Sequence, residues 1–242
     1  MSKFGVGLRL LVVFTLAIVA TSMVLSALRG RALSRSERAL VDQYLATHSV
    51  RSLQVGAGPH NLPGWLNSDI EPMRDQIYLD VTQPFPFRDE TFRYVYAEQL
   101  IEHLPYEQAV FFLKESRRVL MSGGKIRLAT PNLLRLLALF NVTKTPIQQK
   151  LIDYQIQFYH LSKTPLPETV TLNLFFRAWG HQFLYDPASL RATLEQAGFT
   201  SVTERNLGIS DDENLRGIEM HWQVGGKEID EYTSMYFEAT RP

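Results

Sequence analysis

The feature that most restricts how this chain can fold is a series of short apolar runs, each closed by a glycine or an acid. Val50–Val55 stops at Gly56-Ala57-Gly58, Leu66–Ile70 carries Asp69, Gln76–Leu79 stops at Asp80, and Tyr94–Ala97 is followed by Glu98. Short apolar runs bounded by turn formers read as buried strands. Before, between and after them lie segments of helical period. One runs from about Ser36 to His48, with Leu40, Val41 and Tyr44 at helical spacing; another runs from Pro105 to Leu120, with Gly123-Gly124 beyond its end. A proline suits the first turn of a helix and a glycine its termination. Lys125–Thr130 gives a fifth strand, Asp186-Pro187 to Gly198 a capped helix, and Ser201–Asn206 and Ser234–Ala239 the last strands. Such alternation predicts an α/β fold, a Rossmann-like, mostly parallel sheet with helices on both faces. Ligands of these sheets lie at the carboxyl ends of the strands. That is where the glycines and acids fall.

Gly56 and Gly58 admit backbone conformations closed to other residues and let a ligand approach the chain. They do not make a dinucleotide phosphate cradle. The third glycine position of that motif is Asn61, Pro59 lacks an amide, and Asp69 follows Gly56 by only thirteen residues, against the usual spacing of about 20. A nicotinamide oxidoreductase is therefore disfavoured. The chain has no cysteine, which removes thiolate chemistry and disulfides. No helix-spaced histidine pair marks a metal site, so no metal is expected.

Longer segments carry a resemblance. LQVGAGPHNLPGWLNSDIEP, YLDVTQPFPFRDETFRYVYAEQLIEHL, ESRRVLMSGGKIRLATPNL and GHQFLYDPASLRATLEQAGF together resemble the class I S-adenosylmethionine-dependent methyltransferases, especially the small bacterial Methyltransf_11-like group. The resemblance covers most of residues 50–199. It implies a seven-stranded sheet with one antiparallel strand and S-adenosyl-L-methionine as cofactor. By matching positions, it puts Gly56 and Gly58 near the methionine part and Asp69 on the ribose. It puts Asp80 and Val81 near the adenine, and Glu98 along the methyl side. One departure is the interval of about ten residues between the first two strands, short for a parallel crossover; the first helix is expected to shrink to a turn.

Methyl transfer depends chiefly on alignment, and a hydroxyl acceptor also needs a base near neutral pH, for which histidine is suited. His103 follows the fourth strand and His181 precedes the late helix; these are the catalytic candidates. Glu219 and His221 are weaker ones, and Arg117-Arg118 reads as a solvated helix face. A module of the same fold that binds nucleoside or partner without catalysis is the alternative.

Two further regions complete the organisation. Residues 10–28 are uncharged for nineteen positions, enough to cross a bilayer as a helix of roughly 28 Å. A cleavable signal peptide is the rival, but no clean cleavage motif closes the run. Residues 1–31 are thus expected to be a membrane anchor preceding a methyltransferase domain at 32–242. Arg29, Arg31, Arg35 and Arg38 outnumber Lys3 and Arg9 across it, which puts the domain in the cytoplasm. Those first residues hold four bases and no acid, so residues 32–242 carry a net charge of −4 under an overall charge of zero. That argues against nucleic acid as partner. Residues 132–180 interrupt the alternation and combine aromatics with a net charge of +3. They read as a substrate-facing cap near the membrane, suited to a small-molecule or lipid-linked acceptor.

Overall fold

The computed structural model describes residues 32–161 and 165–242. The apolar segment 10–28 and its expected transmembrane helix lie outside them. Among the described residues, no helix is long and apolar enough to cross a membrane.

Seven strands form one sheet: β1 Ser52–Val55, β2 Leu66–Asp69, β3 Gln76–Tyr78, β4 Phe92–Glu98, β5 Leu120–Pro131, β6 Thr200–Arg205 and β7 Ser234–Thr240. Their order is β3-β2-β1-β4-β5-β7-β6. Only β7 runs antiparallel, to both β5 and β6. The expected sheet with a single reversed strand is present.

Helix α1 (Arg35–Thr47) opens with a capping box. The Glu37 amide donates to the Ser34 hydroxyl, and one oxygen of the Glu37 carboxylate accepts the Ser34 amide. The other oxygen accepts the Tyr78 amide at 2.9 Å, which docks the helix on β3. Helices α2 (Tyr106–Val119), α3 (Leu133–Leu137), α4 (Pro146–Phe158), α5 (Pro167–Arg177), α6 (Pro187–Gln196), α7 (Trp222–Gly225) and α8 (Lys227–Thr233) follow.

Strand alternation sorts the sheet into two unlike faces. Leu53, Val55, Val95, Ala97, Ile126, Leu128, Phe237 and Ala239 pack with Val41 and Tyr44 of α1, Phe112 and Leu113 of α2, and Leu190 and Leu194 of α6. The opposite face presents Gln54, Asn67, Gln76, Tyr94, Tyr96, Arg127 and Glu238, all buried. This corrects the expectation of helices on both faces. The long helices of the main core gather on the apolar face, and loops cover most of the polar one.

The physical reason is hydrogen bonding, since buried polar groups must be paired. Gln54 donates to the His60 carbonyl, and the Leu62 amide donates to both Gln54 and Asn67, each at 3.0 Å. Gln76 donates to the Gly58 carbonyl at 2.7 Å. These side chains hold a loop where a crossover helix was expected to shrink to a turn. Further along, the fully buried Arg127 pairs with Glu219 and Glu238 and donates to the Ile209 carbonyl. Tyr94 donates to Asp212 at 3.0 Å. Glu219 is therefore the partner of a buried arginine. Arg118 is not on a solvated face either: it binds Glu115, Asp89 and the carbonyls of Phe85 and Phe87.

Residues 132–180 follow directly from β5. Leu136, Leu139, Leu151, Ile152 and Phe175 form a second core with Leu184 and with Ile229 of α8. This core is small and separate from the one under the sheet.

Candidate active site

The glycine turn after β1 is built by its neighbours. Gly56 has φ +69 and Gly58 φ +50, both in the left-handed region. A side-chain carbon on Gly56 would come within 2.3 Å of Leu100 Cδ1, whereas one on Gly58 meets nothing within 4 Å. The Gly58 amide donates to Asp69 at 2.9 Å, and the other Asp69 oxygen accepts the Glu71 amide at 2.9 Å. Each oxygen keeps further acceptor capacity. After β3, Asp80 accepts the amide and hydroxyl of Thr82 on one oxygen. Val81 beside it is buried.

Gly56, Gly58, Asp69, Asp80 and Val81, all predicted from the sequence, edge one cavity of about 530 Å³ at the carboxyl ends of β1, β2 and β3. Its far wall is Gln99, Leu100 and His103. Glu98 does not join them. Its carboxylate accepts the amides of Met220 and His221 at 2.9 and 3.0 Å, and burial is the main cause that raises its pKa. Glu98 anchors segment 220–221, and the next residue, Gln99, reaches the cavity. Gln99 has φ +49, a conformation that costs a non-glycine residue about 1–3 kcal/mol. Its amide donates to the Ala129 carbonyl at 2.8 Å and its side chain to Ser234 at 3.0 Å. Sequence reasoning missed it; the signal was its place directly after a strand end.

A second cavity, of about 300 Å³, adjoins the first through Gln99 and His103. Tyr154, Phe158, Phe175, Trp179, His181 and His221 supply its rings. His103 and His181 meet here although far apart in sequence. The Glu102 carbonyl accepts the amides of Gln182 and Phe183 at 2.7 and 3.1 Å, which pins segment 181–183 to the 3-10 turn Ile101–His103. The two imidazoles stand perpendicular with centroids 4.9 Å apart. Burial lowers the pKa of both, partly opposed by the Trp179 backbone at His103 and the Phe175 carbonyl at His181. This favours the neutral form of both rings, which can accept a proton. Burial pushes Glu102, between them in the fold, up to about 7. Opposite, His221 bonds Asp230 at 2.7 Å.

Residues 65–128 match a family model described as a methyltransferase domain. No curated protein matches the chain in sequence. Among solved structures, a SAM-dependent methyltransferase from Archaeoglobus fulgidus is similar, with 15% identity and a TM-score of 0.45, over 85% of this chain and 92% of that one. A Haemonchus contortus phosphoethanolamine N-methyltransferase 2, in complex with S-adenosyl-L-methionine, aligns at 12% identity and a TM-score of 0.42. That alignment covers 86% of this chain and 52% of the nematode enzyme, so this chain spans about half of its length. The family match agrees with the resemblance read from the sequence over residues 65–128.

Proposed function

We propose that the protein transfers the methyl group of S-adenosylmethionine to a small-molecule or lipid- or sugar-linked acceptor, from a domain held at the cytoplasmic face of a membrane. The observation that carries the reading is the common wall of the two cavities. A nucleoside seated between Gly58, Asp69, Asp80 and Val81 would direct its sulfonium end toward Gln99 and His103. An acceptor in the aromatic cavity would meet the same two residues from the other side. In-line displacement needs that juxtaposition more than it needs a strong base. In this reading Asp69 takes the ribose hydroxyls, Asp80 and Val81 border the adenine, and His103 and His181, whose burial favours the neutral ring, receive the proton of a hydroxyl or amine acceptor.

The membrane part of the proposal is supported by the uncharged segment 10–28 and its flanking arginines. It is also supported by the exposed Leu134, Leu137, Phe140 and Phe176 of the cap. A surface rich in exposed apolar side chains suits a bilayer boundary.

Calorimetry of the full-length protein with S-adenosylhomocysteine and, separately, with NAD tests the cofactor. Asp69→Ala is expected to weaken the first by roughly 1–3 kcal/mol through loss of charge-assisted hydrogen bonds. Unchanged affinity would sink the role of Asp69. Transfer of labelled methyl from the cofactor into a membrane or small-molecule extract tests catalysis. Nucleoside binding with no transfer would favour the non-catalytic module.

A further inference from the structure

We propose that Glu102, His103 and His181 bind one divalent transition-metal ion at the wall between the two cavities. The proposal deepens the methyl-transfer reading and rests on it for the ion's place beside an acceptor. One ligand-capable atom from each of the three side chains lies within 4.8 Å of the other two. Glu102 is fully buried; its Oε2 accepts the Thr130 hydroxyl at 2.9 Å, while its Oε1 has no hydrogen-bond partner. A buried carboxylate oxygen without a donor is unfavourable, and a bound cation is one of the few partners that resolves it.

The histidines are arranged as ligands are. The His181 Nδ1 is engaged by the Phe175 carbonyl, which leaves Nε2 as the acceptor; metal-ligating histidines characteristically use their second nitrogen in this way. The amides of Gln182 and Phe183 on the Glu102 carbonyl fix the distance between the two chain segments. The three donor atoms lie within 4.8 Å of one another, so small side-chain shifts that keep the His181–Phe175 bond would bring them to the roughly 2 Å of a metal–ligand bond. Two nitrogens and one oxygen suit Mn²⁺, Fe²⁺, Co²⁺ or Zn²⁺ better than Mg²⁺ or Ca²⁺, which favour all-oxygen shells. His103 borders both cavities and His181 the aromatic one, so the open coordination positions face the acceptor side. An acceptor oxygen or amine can complete the shell; with the ion bound, coordination rather than proton transfer to the two imidazoles would activate it, and their role as bases belongs to the ion-free site. No metal motif is visible along the chain because the two histidines belong to different elements and are paired only by the fold.

The test strips full-length protein in detergent with a chelator and titrates it with Mn²⁺, Co²⁺ and Zn²⁺, beside Glu102→Gln and His181→Gln. Wild type is expected to bind one equivalent of at least one of these ions and to show a visible ligand-field band with Co²⁺. Either variant is expected to lose at least about tenfold in affinity. Where a variant does not fold, Mn²⁺ broadening of the His103 and His181 ring signals in wild-type protein decides instead. No stoichiometric ion, equal affinity in the folded variants, or unbroadened ring signals overturns the site. Calorimetry with S-adenosylhomocysteine on the same samples separates the two proposals. An ion bound without nucleoside affinity overturns methyl transfer and leaves the metal site; nucleoside binding without an ion does the reverse.

Discussion

Gly56 and Gly58 share a backbone region but differ in what a side chain would meet, and that difference can be measured. Alanine in the left-handed region costs roughly 1–2 kcal/mol at either position. At Gly56 it also displaces Leu100, which lines the cofactor cavity. At Gly58 the added methyl enters open space at the cavity edge. Gly56→Ala is therefore expected to lower the melting temperature more than Gly58→Ala, while Gly58→Ala reduces S-adenosylhomocysteine affinity by about tenfold or more. Wild-type affinity in folded Gly58→Ala would contradict the placing of the nucleoside. A second residue-scale effect concerns His221. Burial opposes its charge most strongly, yet the hydrogen bond and charge of Asp230, with Glu98 and Glu102 nearby, outweigh it and raise its pKa above the ordinary value. A group raised in the folded state gives stability that is fully present below its unfolded pKa and is lost as pH rises through its folded one. Urea midpoints from about pH 6 to about pH 9 should fall more steeply in wild type than in His221→Gln. The ring is partly exposed, with 41% of its side chain accessible, so screening keeps the effect modest. Parallel slopes in the two proteins would show that the pair adds nothing.

At the scale of elements, residues of the cap that line the aromatic cavity differ in how much they also pack. Phe175 is 7% exposed within the second core, whereas Trp179 is 47% exposed and borders the aromatic cavity at its rim. Phe175→Ala should destabilise the cap by about 3–5 kcal/mol, as large-to-small changes in a core do. Trp179→Ala should leave thermal unfolding and nucleoside affinity near wild type while transfer to acceptor falls; loss of nucleoside binding as well would make the residue structural. The strands and the glycine–acid edge were legible because each rests on local pattern: apolar runs, turn formers and acids at their ends; the single reversed strand was expected only from the family resemblance. The polar sheet face was not. Gln54, Asn67, Gln76 and Arg127 sit in runs that read as buried strands, and only tertiary hydrogen bonds reveal that they satisfy loops rather than meet helices. The partners of Glu98, Met220 and His221, were hidden for the same reason, since they lie far along the chain. Gln99 and Glu102 passed unremarked between recognisable neighbours. Their importance comes from a strained backbone and from complete burial, and neither property is written in residue type.

At the scale of the whole molecule, the join between segment 10–28 and the domain is short, and this makes the proposed topology testable. The Leu33 carbonyl already accepts the Arg38 guanidinium at 2.9 Å, and Ser34 caps α1. Only residues 29–32 separate the apolar segment from this tied-down chain. Four residues span at most about 14 Å when extended, so an anchored domain would lie against the bilayer rather than swing free of it. A cofactor made in the cytosol and an excess of arginine on the domain side both favour the proposed inward-facing domain. Full-length protein is thus expected in the membrane fraction, released by detergent and not by salt. Protease should reach the domain in inside-out vesicles and spare it in sealed right-side-out ones, and a C-terminal phosphatase fusion should stay inactive. Phosphatase activity outside the cell would reverse the orientation, and a mature chain beginning near Ala27 would replace the anchor with a cleaved leader. In either case the domain would be separated from the cytosolic supply of S-adenosylmethionine, and the methyl-transfer proposal would need another source of cofactor to survive.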